Sequence, residues 1–224
     1  MRGAAAALVI TGVLAACGGG GDGGDGAPAG VRGTVLGQPF DPTGGAALRL
    51  TEEACLFDTG LGGEIEANAA ALLLGFGTFE DLCGVAQQTA ACGGKASATT
   101  VNVLVLRANV LGGAAGAVQA GTFPISPPSA TPTPDAQGNL TFATSFASRT
   151  DAACADTSGD VSATGGSITL ATIGPDRVTG SASVTFSDGG SVSGSFDVPV
   201  CAFSTDVCSG LGAGCGPADE VCVP

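Results

Sequence analysis

The sequence predicts an all-β domain: an antiparallel β-sandwich or small barrel with one short helix, stapled by disulfides and preceded by a signal peptide and a flexible Gly-rich tether. Three observations predict it. Apolar and polar residues alternate with period two through the carboxy-terminal half, the mark of strands with one buried and one wet face. Short runs of this kind are separated by Gly-rich turns. Nine cysteines and no histidine point to crosslinks rather than to a metal centre.

The chain opens Met1-Arg2-Gly3 and continues from Ala4 to Ala16 without a charge. A positive start and a short apolar stretch is the layout of a secretory signal. The stretch is too short to span a bilayer, which needs roughly 20 apolar residues. It ends Leu14-Ala15-Ala16-Cys17, which resembles the lipobox of bacterial lipoproteins. The resemblance covers residues 1–17. It implies that the Cys17 thiol takes a diacylglyceryl group, that cleavage precedes Cys17, and that the new amine is acylated, a palmitate-type modification. Two or more acyl chains anchor a protein stably, whereas one holds it marginally. The plainer alternative is an ordinary signal cut at an Ala-x-Ala-like site, leaving Cys17 free. Gly18 follows Cys17 where an Asp would mark retention in well-studied Gram-negative systems. The pattern therefore resembles that of lipoproteins sent to the outer membrane, on its periplasmic or surface face.

Four segments are expected: a signal peptide over 1–16, a lipidated Cys17 with a Gly-rich linker over 17–30, a β-domain over 31–200, and a Cys-rich tail over 201–224. Residues 18–30 hold little but Gly, with Asp22 and Asp25. Such a tether spans about 20 Å. The acids keep it solvated.

Within the β-domain, residues 31–36 and 46–51 read as short strands. Glu64 to Leu74 is open between strand and helix, and its alanines favour helix. Thr78-Phe79-Glu80-Asp81 fits a helix start signal with acids in the first turn, so a helix is expected over about 79–90, carrying Cys83. Val101 to Leu106 is a strand, and Gly121 to Ile125 begins another. Residues 126–135, Ser-Pro-Pro-Ser-Ala-Thr-Pro-Thr-Pro-Asp, resemble a glycosylated spacer in composition; a solvated inter-strand loop is the plainer reading. Asn139-Leu140-Thr141 has the form of an N-glycosylation acceptor. Leu140, Phe142 and Phe146 mark one strand, and Ile168 and Leu170 the next.

Val178, Ala182, Val184 and Phe186 alternate with Thr179, Ser181, Ser183 and Thr185. Val192, Phe196, Val198 and Val200 alternate in the same way. Val178-Thr179-Gly180-Ser181 is echoed fourteen residues later by Val192-Ser193-Gly194-Ser195. The pattern predicts a hairpin with a three-residue loop at Asp188-Gly189-Gly190. That register sets Phe186 opposite Val192, Val184 opposite Gly194 and Ala182 opposite Phe196, with Gly190 in the left-handed position. Over roughly residues 140–201 the strand pattern resembles that of poorly characterised exported lipoproteins, a likeness that implies no activity.

With Cys17 set aside, eight cysteines remain: Cys55, Cys83, Cys92, Cys154, Cys201, Cys208, Cys215 and Cys222. An even set in an exported chain reads as disulfides. Roughly a hundred pairings are open to eight cysteines. The arrangement expected from local order is Cys154 with Cys201 and Cys83 with Cys92, leaving Cys55, Cys208, Cys215 and Cys222 to pair among themselves. The last four cysteines fall seven residues apart, but Gly210, Gly212, Gly214, Gly216 and Pro217 exclude a helix there.

The net charge is −13, from 7 basic and 20 acidic residues. That argues against nucleic acid and against adsorption to anionic lipid. Without His there is no Ser-His-Asp or Cys-His catalysis and no His-based metal site. The lone lysine, Lys95, has no Ser-x-x-Lys context. Glu64 and Glu66 share a face if that stretch is a strand, and would then be the carboxylates of a glycoside hydrolase, but Trp and Tyr platforms are absent. Asp151, Asp156 and Asp160 offer oxygen ligands for calcium, without EF-hand spacing; turn formation is the commoner role. No Gly run sits in a phosphate-loop frame.

The sequence therefore points to a non-enzymatic, lipid-anchored envelope domain with a structural or binding role. No catalytic residue, cofactor or metal is assigned. The expected partners are the membrane, through its anchor, and an envelope protein or glycan. The rivals are a calcium-dependent adhesion or carbohydrate-binding module and, behind it, a hydrolase built on Glu64 and Glu66.

Overall fold

The computed structural model describes residues 30–58, 64–88, 93–159, 161–208 and 221–224. The signal, Cys17, the linker before Gly30, Cys92, Cys215 and Asp160 lie outside them. The described residues form an all-β fold with a short helix after its fourth strand. Strands β1 (Arg32–Val35), β2 (Gln38–Phe40), β3 (Gly44–Asp58) and β4 (Glu64–Gly77) precede α1 (Leu82–Gln88). Then come β5 (Gly93–Lys95), β6 (Thr99–Asn109), β7 (Gly121–Pro124), β8 (Asn139–Arg149), β9 (Val161–Ile173), β10 (Arg177–Phe186) and β11 (Ser191–Pro199). Two short strands finish the chain, β12 (Thr205–Asp206) and β13 (Val221–Val223).

The main sheet runs β12-β3-β4-β6-β8-β9-β10-β11-β1-β2, with β7 beside β9. It folds into two layers at β8, which meets β9 only through Phe146↔Ser162 and Ala147↔Val161. The far side closes where Val200 bridges Ala47 in parallel and the Cys201 amide donates to the Ala47 carbonyl at 2.8 Å. Seven antiparallel neighbours, β3 to β11 along the sheet, bring the first and last strands into the same direction. The closing seam must then be parallel, and β12 continues it beside Leu50 and Thr51.

Between the layers lies the larger core. Leu72, Leu74 and Phe76 of β4 and Val101, Val103 and Val105 of β6 face Ile168, Leu170, Val184, Phe186, Val192 and Phe196. The Phe76 and Phe196 rings meet across it, tilted, with centroids 5.6 Å apart. A second core covers the opposite face of the same strands: Leu48, Leu50, Leu73, Leu104, Leu106 and Phe142 pack beneath Leu82, Cys201 and Val207.

This double burial explains why Glu64 to Leu74 is a strand and not the helix its alanines favour. Period two sends Ala67, Ala69, Ala71 and Leu73 to one core and Leu72, Leu74 and Phe76 to the other. A strand buried on both faces reads as a continuous apolar run without alternation, and tertiary packing overrides propensity.

The β10–β11 hairpin keeps the expected sorting of faces but not the expected register. Val184 lies opposite Val192, Ala182 opposite Gly194 and Gly180 opposite Phe196. The loop is Ser187-Asp188-Gly189, closed by the Phe186 amide on the Gly190 carbonyl at 2.9 Å. Gly189, not Gly190, takes the left-handed backbone, at φ +83°. The slide is by two residues, which leaves each side chain on its own face. Its cause is β1: a Cβ on Gly190 would sit 2.5 Å from the Thr34 carbonyl, so this glycine serves close approach. Gly180 likewise makes room for Phe196, whose ring tip would lie 2.7 Å from an added Cβ.

The helix starts later than expected, at Leu82. Asp81, not Thr78, caps it, its Oδ1 accepting the Gly84 amide at 2.7 Å. Thr78 is engaged elsewhere, its Oγ1 accepting the Thr99 amide at 3.0 Å.

Candidate functional site

The side chains that carry chemistry gather along the strap formed by the tail. Three disulfides fix it: Cys83–Cys201, Cys55–Cys208 and Cys154–Cys222. They correct the expected pairing. Cys154 joins Cys222 instead of Cys201, and Cys83 joins Cys201 instead of Cys92. The physical reason is the seam. Residues 200–206 run along β3 instead of returning to the 150s loop. That path carries Cys201 under α1, where Cys83 waits, and Cys208 onto β3 beside Cys55. Farther on, β13 pairs in parallel with β5, which brings Cys222 to Cys154. Lys95 of β5 donates to the Pro224 carbonyl, and Val223 packs on Val85 and Ala86 of α1. Disulfides linking such distant parts of the chain belong to an oxidising, extracytoplasmic compartment.

Beside Cys55–Cys208 the strap creates a carboxyl pair. Glu53 and Asp206 each stand two residues before a bridged cysteine. β12 pairs in parallel with β3 through Thr205↔Leu50 and Asp206↔Thr51, and just beyond it Cys208 bridges back to Cys55, so the turn of the strap sets Glu53 beside Asp206. Ligand atoms of Glu53, Asp206 and Cys208 lie within 4.8 Å of one another. The Cys208 sulfur is committed to its disulfide, so only the two carboxyls are available to a cation or a proton. The Glu53 carboxyl is raised above its ordinary range, first by its hydrogen bond with the Asp206 side chain, then by burial and by the Asp206 charge. A second carboxyl this close favours the protonated form of the first. Sequence reasoning missed this pair; the only signal was the repeated acid-x-Cys.

Among the described residues, the acids singled out from sequence form no metal-holding group. Glu66 is exposed on β4, with Leu56 as its Cα partner across β3. Glu64 occupies the same strand two residues earlier, and its side chain lies outside what is described. Asp151 accepts the amides of Ala153 and Ala155 at 2.8 and 3.0 Å. Asp156 accepts the Ser158 amide at 2.7 Å. Both hold their own turns.

Other carboxylates pin loops as well. Glu52 accepts the amides of Ala115 and Gly116 at 2.9 and 3.1 Å. Asp188 ties two turns together, taking the Leu36 amide at 2.7 Å and the Gly190 amide at 2.8 Å. Asp135 holds the turn that leads into β8. Its carboxyl is lowered, first by the Asn139 amide against an opposing burial penalty, with the Asn139 side chain and Gln137 amide assisting.

No helix among the described residues is long and apolar enough to cross a membrane. Comparison with known proteins found no match to this chain among family models, curated proteins or solved structures.

Proposed function

We propose that the chain is a lipid-anchored cell-envelope β-domain, held by acyl chains on Cys17 at the outer membrane, with a structural or binding role rather than an enzymatic one. The observation that carries this reading is the set of three disulfides across the folded domain. They support export, which is what the lipobox-like segment implies. The first described strand starts at Arg32, so a Gly-rich stretch lies between Cys17 and the domain, as a display tether requires. The engagement of Glu52, Asp135, Asp151, Asp156 and Asp188 with backbone amides supports a scaffold role for the described acids. The expected partner is an envelope protein or a glycan.

Detergent phase partition of whole cells tests the anchor. The native chain should enter the detergent phase, and Cys17→Ser should move to the aqueous phase with its disulfides intact. A native chain in the aqueous phase would overturn the reading. A thermal melt in calcium and in EDTA separates the rival calcium module. Equal melting temperatures are expected; a rise in calcium would favour the rival.

A further inference from the structure

The loop between β7 and β8 is held at both ends and displayed in the middle. At its start Ile125 bridges Ala143, and the Ser126 amide donates to the Ala143 carbonyl at 2.8 Å. At its end Asp135 accepts the amides of Gln137 and Asn139, both at 2.9 Å. Between these points Ala130 packs against the second core and Pro132 is half-buried, while Ser129, Thr131 and Thr133 are exposed. Pro132 and Pro134 confine the residue before each, Thr131 and Thr133, to extended backbone. Ser129 stands exposed on the turn closed by the Ala130 amide on the Pro127 carbonyl at 2.9 Å, and Thr131 and Thr133 stand exposed on the extended segment that follows it.

Hydroxyls on the described strands are less available. Several bond one another: Thr122 with Thr169 at 2.9 Å, Thr172 with Thr179 at 2.7 Å, and Thr100 with Ser148 at 2.8 Å. Ser181, Ser183 and Ser193 are open to solvent on the outer sheet, but their backbones are paired on both sides. Residues 131–134 lie in no strand, so a peptide-binding enzyme can grip their backbone. Asn139, by contrast, sits in β8 with its carboxamide engaged by Asn109 at 2.9 Å and Asp135 at 3.3 Å.

We propose that Ser129, Thr131 and Thr133 are O-glycosylation acceptors, the two Thr-Pro threonines foremost. The donor class suited to an extracytoplasmic site is a sugar linked to a polyprenyl phosphate. The acceptor Oγ attacks the anomeric carbon, an Oγ–C1 bond forms and the C1–O bond to phosphate breaks. The lipid phosphate leaves with the bonding electron pair, and the hydroxyl proton passes to a base on the transferase. The proposal rests on the extracytoplasmic location but not on the anchor or on any binding role.

The test is mass spectrometry of the full chain from its native cells, intact and by electron-transfer fragmentation, without reduction. Hexose or N-acetylhexosamine increments are expected on the peptide containing 129–133. They should vanish in S129A/T131A/T133A and persist in S181A/S183A, with disulfides unchanged in both. An unmodified 129–133 peptide in a chain whose three described disulfides are intact would overturn the proposal while leaving export standing. A phosphoryl increment there, or sugar on Asn139 instead, would overturn it too.

Discussion

Glu53 shows how a single side chain senses the seam. Its folded carboxyl holds a proton more tightly than the same group in an unfolded chain. Between the unfolded and the raised folded value the native state binds more protons, so stability falls as pH rises through that interval. The contribution is present in acid and lost once both carboxyls ionise. Glu53→Gln removes the repulsion without removing the hydrogen-bonding group. At neutral pH the variant should melt above the native chain, and the gap should close on acidification below the ordinary carboxylate range. A gap independent of pH would contradict the raised carboxyl. Asp135 runs the other way. Its lowered carboxyl stabilises its turn above the unfolded value, and that is lost as pH falls through the folded one. Neither acid stood out in the sequence, because what perturbs each is a neighbour brought by folding: Asp206 from the tail, or the Asn139 amide from a turn.

The β10–β11 hairpin is the element most legible in the sequence, since one of its faces is wet and alternation survives. Its glycines were legible as a class but not by role. Gly189 adopts positive φ, whereas Gly180 and Gly190 give way to neighbours that the sequence does not announce. An added Cβ at Gly180 would meet the Thr169 carbonyl at 2.0 Å, a backbone atom that cannot swing aside. Gly180→Ala should therefore cost about 2–3 kcal/mol through overpacking, against about 1 kcal/mol for Gly189→Ala, where only the left-handed backbone objects. Asp188→Ala frees two amides and should cost about 1–2 kcal/mol. Urea unfolding of the three variants ranks them. A Gly189 variant worse than the Gly180 variant would contradict these roles. β4 shows the opposite limit. Its alanines and leucines gave no alternation to read, because both faces are buried.

For the whole molecule, the class of fold was legible and the wiring was not. Spacing along the chain favours local pairs such as Cys83 with Cys92, yet the described disulfides span 153, 118 and 68 residues. The path of the tail, first along β3 and then beside β5, decides them, and no local pattern encodes that path. Long loops make such crosslinks strong constraints on the unfolded chain. Cys83→Ala/Cys201→Ala should lower stability by about 2–5 kcal/mol. The variant should also bind a hydrophobic dye, because α1 and Cys201 cover the second core. Full stability with no added dye binding would show that the strap holds without its staple.

The parallel seam also sets a timetable. Each described disulfide has one cysteine at or beyond Cys201, and the sheet closes only when Val200 reaches Ala47. A chain crossing a membrane amino terminus first can complete neither step until nearly all of it has emerged. Until then the earlier cysteines find none of these partners and the second core lacks its cover. The fold thus postpones its own locking to the end of translocation, and a chain cut before Cys201 should emerge with none of these three bonds.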